Sequence, residues 1–229
     1  MSYQKYNAQL VFIFLMFVLL INFINAAQYR NSGLTDFSLS LQTQKTYFIS
    51  TTDIYKIELD QIGINWYEDL TTTVKGGLEY GYLDANLSNN LQPSTQLSSG
   101  EYFGILFRYK PIESPIMSLT LNLNYRYNKT ETINSNQYSD LLWHEILFSS
   151  EVELRPFDKL GIILAAEYQN LSGEQRYATN VNQVINFDAE KHIGYRFGIN
   201  IKPTPTAEIR FEWLTGYRKG GIIHFSRGF

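Results

Sequence analysis

The chain has 229 residues, of which 18% are charged and 15% aromatic, and it contains no cysteine. Thiol nucleophiles, cysteine-ligated zinc and iron–sulfur clusters are thereby excluded, and a formal net charge of −3 gives no electrostatic footing for nucleic acid. The length fits one domain, and 17 Tyr and 15 Phe against 3 Met suit strands, either of a membrane barrel or of a secreted β-sandwich.

Residues 1–27 read as an export signal. Lys5 supplies the one positive charge, residues 11–21 form an unbroken apolar core, and residues 22–27 end in Ala26 and Ala27. Cleavage is expected after Ala27, leaving 28–229 as the mature domain; the other reading is an uncleaved inner-membrane anchor. The apolar core is short of the roughly 20 residues of a transmembrane helix.

Beyond the signal, apolar and polar residues alternate with the period of a strand. Strands are predicted around 34–41, 54–66, 74–82, 103–109, 117–127, 142–154, 160–168, 193–201, 209–217 and 223–229. In the second, the apolar phase shifts between Leu59 and Ile62, which predicts a β-bulge. The clearest ladder puts Met117, Leu119, Leu121, Leu123, Tyr125 and Tyr127 on one face and Ser118, Thr120, Asn122, Asn124 and Arg126 on the other. The count is about ten, with eight still open, each near the roughly 9–11 residues of a tilted spanning strand.

The connections alternate. Residues 67–70, 111–115, 155–159 and 202–205 are tight and rich in Pro or Asp, whereas 85–98, 129–139 and 171–187 are long and polar. That predicts short turns on one rim and exposed loops on the other. Three Asn-x-Ser/Thr triplets, at Asn86, Asn128 and Asn170, stand where those loops should begin. Tyr80, Tyr82, Tyr125, Tyr127, Tyr168, Trp213 and Tyr217 fall near the loop ends of their strands. Trp66, Phe107, Tyr109 and Phe229 fall near the turn ends, so that two aromatic rings would bound an apolar band.

Over residues 34–229 this pattern resembles the single-chain bacterial outer-membrane β-barrel proteins. Its most specific element is residues 221–229, ending on Phe229 with Phe225 and Ile223 in phase. The expected fold class is therefore all-β, a closed antiparallel transmembrane β-barrel behind an N-terminal signal peptide. The resemblance implies a place in the Gram-negative outer membrane and contact with outer-membrane lipid and lipopolysaccharide. It also implies a barrel assembly machinery that reads Phe225 and Phe229 as its signal. A monomer is expected, with no nucleic acid as partner. Arg227 departs from the pattern by holding a lipid-phase position, where snorkelling limits its cost to about 0–1 kcal/mol.

The same registers turn charges inward. Lys75, Glu79, Arg108, Arg126, Glu145, Glu167, Arg196, Arg210 and Glu212 form a candidate lumen network, with Lys110, Glu151, Glu153, His192, Glu208 and His224 beside them. A barrel of this size has a narrow interior, and mixed signs there neutralise one another. The expected role is structural or surface-interacting, with the polar lumen largely filled by side chains. Two alternatives stay open, a narrow porin-like channel for small solutes and a membrane-embedded lipid hydrolase. For the hydrolase, His224 and Ser226 share a face and Glu212 approaches from the preceding strand. This resembles the His/Ser/Glu set of the family's lipid A deacylases, without their surrounding motifs. His144 and Glu145 are adjacent in sequence and so point to opposite faces. The three histidines have no metal-ligand spacing, and no phosphate loop or nucleophile elbow is present, so no cofactor is expected.

Overall fold

In a computed structural model of the chain, the described residues are 35–50, 54–89, 96–134, 137–178 and 183–229. The export signal and its cleavage site lie outside them. The strands are β1 (Thr35–Ile49), β2 (Ile54–Asp69), β3 (Val74–Asn89), β4 (Gln96–Glu113), β5 (Met117–Asn134), β6 (Gln137–Phe157), β7 (Leu160–Ala178), β8 (Gln183–Ala189), β9 (Ile193–Thr204), β10 (Ala207–Gly216) and β11 (Arg218–Gly228). All pairings are antiparallel. β1 meets β11 from Asp36↔Gly228 to Thr46↔Arg218, so a single sheet closes on itself. A sandwich would need two open sheets, and that reading is excluded.

The barrel tapers. β8 and β9 are two parts of one descending strand, since β7 carries β9 on Leu160–Tyr168 and β8 on Ser172–Tyr177. The β10–β11 hairpin stops short, at Gly216 and Arg218. Beyond its tip, Phe48 and Ile49 of β1 pair directly with Ala189 and Asp188 of β8. The wall therefore has ten strands near the turn rim and eight at the loop rim. Gly216 makes the tight turn possible at φ +98°, a conformation most side chains resist. Tyr217 N donates to Ile193 O at 3.0 Å, and Thr46 Oγ1 donates to Tyr217 O at 3.2 Å. The tip is thus pinned on both sides.

Outward side chains between the rims are apolar or aromatic. Phe37, Trp66, Leu78, Tyr80, Ile105, Phe107, Leu123, Tyr125, Phe148, Leu164, Tyr168, Tyr195, Phe197 and Trp213 are all exposed on the outer face. Water would not tolerate so continuous an apolar surface; it is the lipid-facing belt of a transmembrane barrel. Arg227, in β11 next to Phe225, pairs with Phe37 of β1 and Ala207 of β10 at the turn rim.

The predicted bulge in β2 is absent. Leu59, Asp60, Gln61 and Ile62 pair in unbroken register with both β1 and β3. The apolar phase changes because the surroundings do. Ile62, Ile64 and Trp66 face lipid, whereas Ile57 and Leu59 face inward to an apolar core, with Lys56 and Glu58 facing out. The bulges that do occur lie at the turn rim, between Tyr109 and Ile112, between Leu154 and Phe157, and between Ala207 and Ile209. The first two contain Pro111 and Pro156, which cannot donate to a ladder.

Most of the predicted long loops are strand. β5 and β6 pair from Met117↔Leu154 out to Asn134↔Gln137. An 18-residue strand is roughly 60 Å long, about twice the hydrocarbon thickness. The wall outruns the belt, and past it the outer face is polar, which erases the alternation that marks a strand. Asn128, expected in an exposed loop, is fully buried inside the barrel; Asn86 is half-buried, and Asn170 is exposed.

Candidate functional site: the filled lumen

Glycines make room for the largest lumen side chains. A Cβ on Gly81 would stand 2.5 Å from Tyr102 Cζ, and one on Gly63 would stand 2.0 Å from the Tyr102 hydroxyl. Tyr102 can therefore lie flat over β2 and β3, and the Arg126 guanidinium sits 4.7 Å above its ring. Arg126 donates to Glu79 through Nε at 3.0 Å and Nη2 at 2.9 Å, a two-pronged geometry only arginine provides. Gln61 Oε1 accepts from Nη1 at 3.4 Å. Glu145 lies 3.8 Å from the same guanidinium and accepts from Gln169 at 2.8 Å.

A second cluster is built by β6, β7, β9, β10 and β11. Glu167 accepts from Arg218 Nη2 at 2.8 Å and Nε at 3.2 Å, and from the Tyr217 hydroxyl at 3.1 Å. Arg196 bridges Glu151 at 2.9 Å, Glu167 at 3.2 Å and Glu212 at 2.6 Å. Arg210 pairs with Glu151, and with Glu212 at 3.3 Å. Each carboxylate meets at least two cations, as charges removed from water require.

Toward the turn rim the groups thin out. Lys75 joins Asp36 at 2.7 Å and Asp69 at 2.8 Å. Arg155 joins Glu153 at 2.8 Å and Glu113 at 2.5 Å, and Asn200 donates to Glu153 and Glu208. Arg108 stacks 4.2 Å over the Tyr67 ring and donates to Asn122 at 3.4 Å.

The structure thus splits the nine candidate charges. Glu79, Arg126 and Glu145 form one cluster, and Glu167, Arg196, Arg210 and Glu212 belong to another, while Lys75 and Arg108 stand apart. Sequence reasoning missed Arg218, Tyr217, Tyr102, Arg155, Asp36 and Asp69. Counting back by twos from His224 reaches Arg218, so its signal was present. Tyr217, expected in the outer aromatic ring, is 2% exposed because the Gly216 turn swings it inward. His192, expected in the lumen, stacks on the outward Tyr168 ring at 5.7 Å. The break at 190–192 between β8 and β9 shifts its phase.

At the loop rim the lumen is apolar. Phe48, Ile57, Leu59, Leu83, Leu141, Trp143, Leu171 and Phe187 pack together, with Phe48 stacked on Phe187 at 4.6 Å and Trp143 1% exposed. Eight strands enclose an interior that side chains can fill, and here apolar groups do most of the filling, with Asn128, Thr130 and Gln175 buried beside them.

The hydrolase constellation lacks its contacts. His224 Nε2 lies 3.9 Å from Glu212, whose carboxylate is engaged by Arg196 and Arg210. Among the described residues no hydrogen bond joins Ser226 to His224. Positions two apart on a strand stand roughly 7 Å from each other.

No protein-family model and no curated protein matches the chain. Among solved structures it is similar to the translocator domain of autotransporter NalP from Neisseria meningitidis, at 7% identity and a TM-score of 0.46, over 97% of this chain and 98% of that one. An outer membrane channel from Pseudomonas putida F1 aligns at 9% identity and a TM-score of 0.42, over 89% and 98%. The transport unit of the autotransporter AIDA-I from Escherichia coli gives 9% and 0.42, over 88% and 90%. In architecture the chain is a small single-chain antiparallel β-barrel, one sheet closed on itself, apolar outside and charged within.

Proposed function

We propose that this protein is a non-conducting barrel of the Gram-negative outer membrane with a structural or surface-interacting role. One observation carries the reading: the eight-strand end of the lumen is packed with apolar side chains, directly above the buried arginine–glutamate clusters. A solute path would have to part both. In planar bilayers the purified protein should give no stepwise conductance, and sustained openings would overturn the proposal. A narrow channel is the second reading. It is favoured by the half-buried polar residues of the turn-rim half, Arg108, Asn122, His224 and Ser226, and the same recording decides between the two.

The proposal includes export by residues 1–27, insertion as a monomer among outer-membrane lipid and lipopolysaccharide, and recognition of Phe225 and Phe229 by the barrel assembly machinery. The mature chain should begin near Gln28. An intact mass that retains Met1 in membrane-purified protein would refute export by a cleaved signal.

A further inference from the structure

Past the aromatic ring, the outer faces of β5 to β8 form a groove of about 500 Å3 that opens away from the lumen. Tyr127, His144, Glu174, Arg176, Asn186 and Asp188 line it. Cross-strand pairing sets these groups side by side, with Ser172 opposite Asp188 and Glu174 opposite Asn186. His144 is held in place: its Nδ1 lies 2.6 Å from the Tyr125 hydroxyl, and its ring packs 5.9 Å from Tyr125 and 5.1 Å from Tyr127. Arg176 is paired with Glu174. Among the described residues, His144 Nε2 and the side chains of Asn186 and Asp188 have no hydrogen-bond partner.

Such a groove suits a neutral polyol better than an anion. Its one arginine is already engaged by a carboxylate and a second carboxylate stands nearby, so a phosphate would be repelled as much as held. Amide, carboxylate and imidazole groups side by side match the alternating donors and acceptors of sugar hydroxyls, and the Tyr127 ring offers an apolar face. The volume falls within the range of small-ligand sites. Tyr127 and Tyr168, which close the apolar belt, put the groove at the level where headgroups begin.

We propose that this groove binds the sugar headgroup of an outer-leaflet glycolipid, with Asn186 and Asp188 taking hydroxyls and His144 Nε2 completing the site. The inference rests on the membrane placement proposed above.

The test is native mass spectrometry of the full protein in polyoxyethylene detergent micelles, using a diglucosyl diacylglycerol, whose disaccharide headgroup carries no charge. Phosphatidylglycerol, which has a phosphate and no sugar ring, is the competitor. Wild type should retain one glycolipid, and Asn186→Ala with Asp188→Ala should lower occupancy at least tenfold. His144→Phe keeps the ring stack and should lower occupancy several-fold. All these positions face outward, so heat-modifiable migration should be unchanged in every variant. Equal occupancy of wild type and double variant would overturn the proposal, as would competition by phosphatidylglycerol. Cell fractionation separates the two readings: protein absent from the outer membrane refutes the placement, whereas micelle binding is scored independently of it.

Discussion

Arg126 shows how the lumen tolerates charge. Its guanidinium lies over the Tyr102 ring and between Glu79 and Glu145, so removing either sign strands the other in a place water does not reach. Glu79→Leu should destabilise the barrel by about 3–5 kcal/mol, the usual consequence of an uncompensated buried charge. Arg126→Met should cost at least as much, because two carboxylates lose their partner. The double variant should cost clearly less than the sum of the two single losses, since the Glu79–Arg126 pair leaves together, with Glu145 alone losing its cation. Urea unfolding of protein refolded into lipid vesicles measures all three. Additive losses in the double variant would mean that Glu79 and Arg126 do not act as a pair. Gly216 makes a separate residue-scale case. An alanine there would place its Cβ 2.6 Å from Ile193 O at φ +98°, and should cost about 1–3 kcal/mol in the same assay.

At the scale of the strand, legibility depended on what lay outside the wall. Where lipid does, as along Met117–Tyr127, apolar residues alternate and the strand is plain from its sequence. Where water does, the outer face turns polar, and stretches such as 129–139 read as loops although β5 and β6 run nearly through them. In β2 the two regimes meet inside one strand, which is why Leu59 and Ile62 suggested a bulge. Inward charges follow from parity as long as a strand is unbroken, which reaches Glu167 and Arg196. Parity fails at the Gly216 turn and at the 190–192 break, so Tyr217 and His192 were placed on the wrong sides. No local signal in the sequence marks the taper, because it depends on a two-residue contact between β1 and β8. The β5 faces are directly testable. Leu121 points to lipid near the middle of the belt, and Leu121→Arg should cost about 2–4 kcal/mol. Asn122 points inward and already accepts from Arg108, so Asn122→Asp should gain an ion pair and cost little. Equal tolerance of the two in a vesicle-refolding assay would reverse the assignment of faces.

For the whole molecule the decisive contact is the seam between the first strand and the last, 11 residue pairs long from Asp36↔Gly228 to Thr46↔Arg218. Apart from the two-residue contact of β1 with β8, the remaining strand pairs are neighbours in sequence, or nearly so, and could form in an open sheet. The seam joins residues almost 200 positions apart and forms only when the barrel closes. In lipid an open edge would leave unpaired N–H and C=O groups with no water to satisfy them, so closure is a condition of insertion. Ser38 and Ser226 face each other across the seam, both pointing inward. Directly opposed positions on antiparallel strands bring their Cβ atoms to about 4.5–5.5 Å, close enough for a disulfide after a small adjustment. The chain has no cysteine of its own, so Ser38→Cys with Ser226→Cys introduces the only possible bridge. Oxidised protein extracted from membranes should run as the cross-linked species on a non-reducing gel after boiling, and should shift on reduction. The same pair in urea-unfolded chains should cross-link poorly, since closing so long a loop costs several kcal/mol of entropy. A control pair at Ser38 and Asn122, which share the lumen but are not paired in the sheet, should not bridge in either state. Failure of the seam pair to oxidise in folded protein that still shows heat-modifiable migration would mean that β1 and β11 are not neighbours. The barrel would then have to be closed by some other pair of edges.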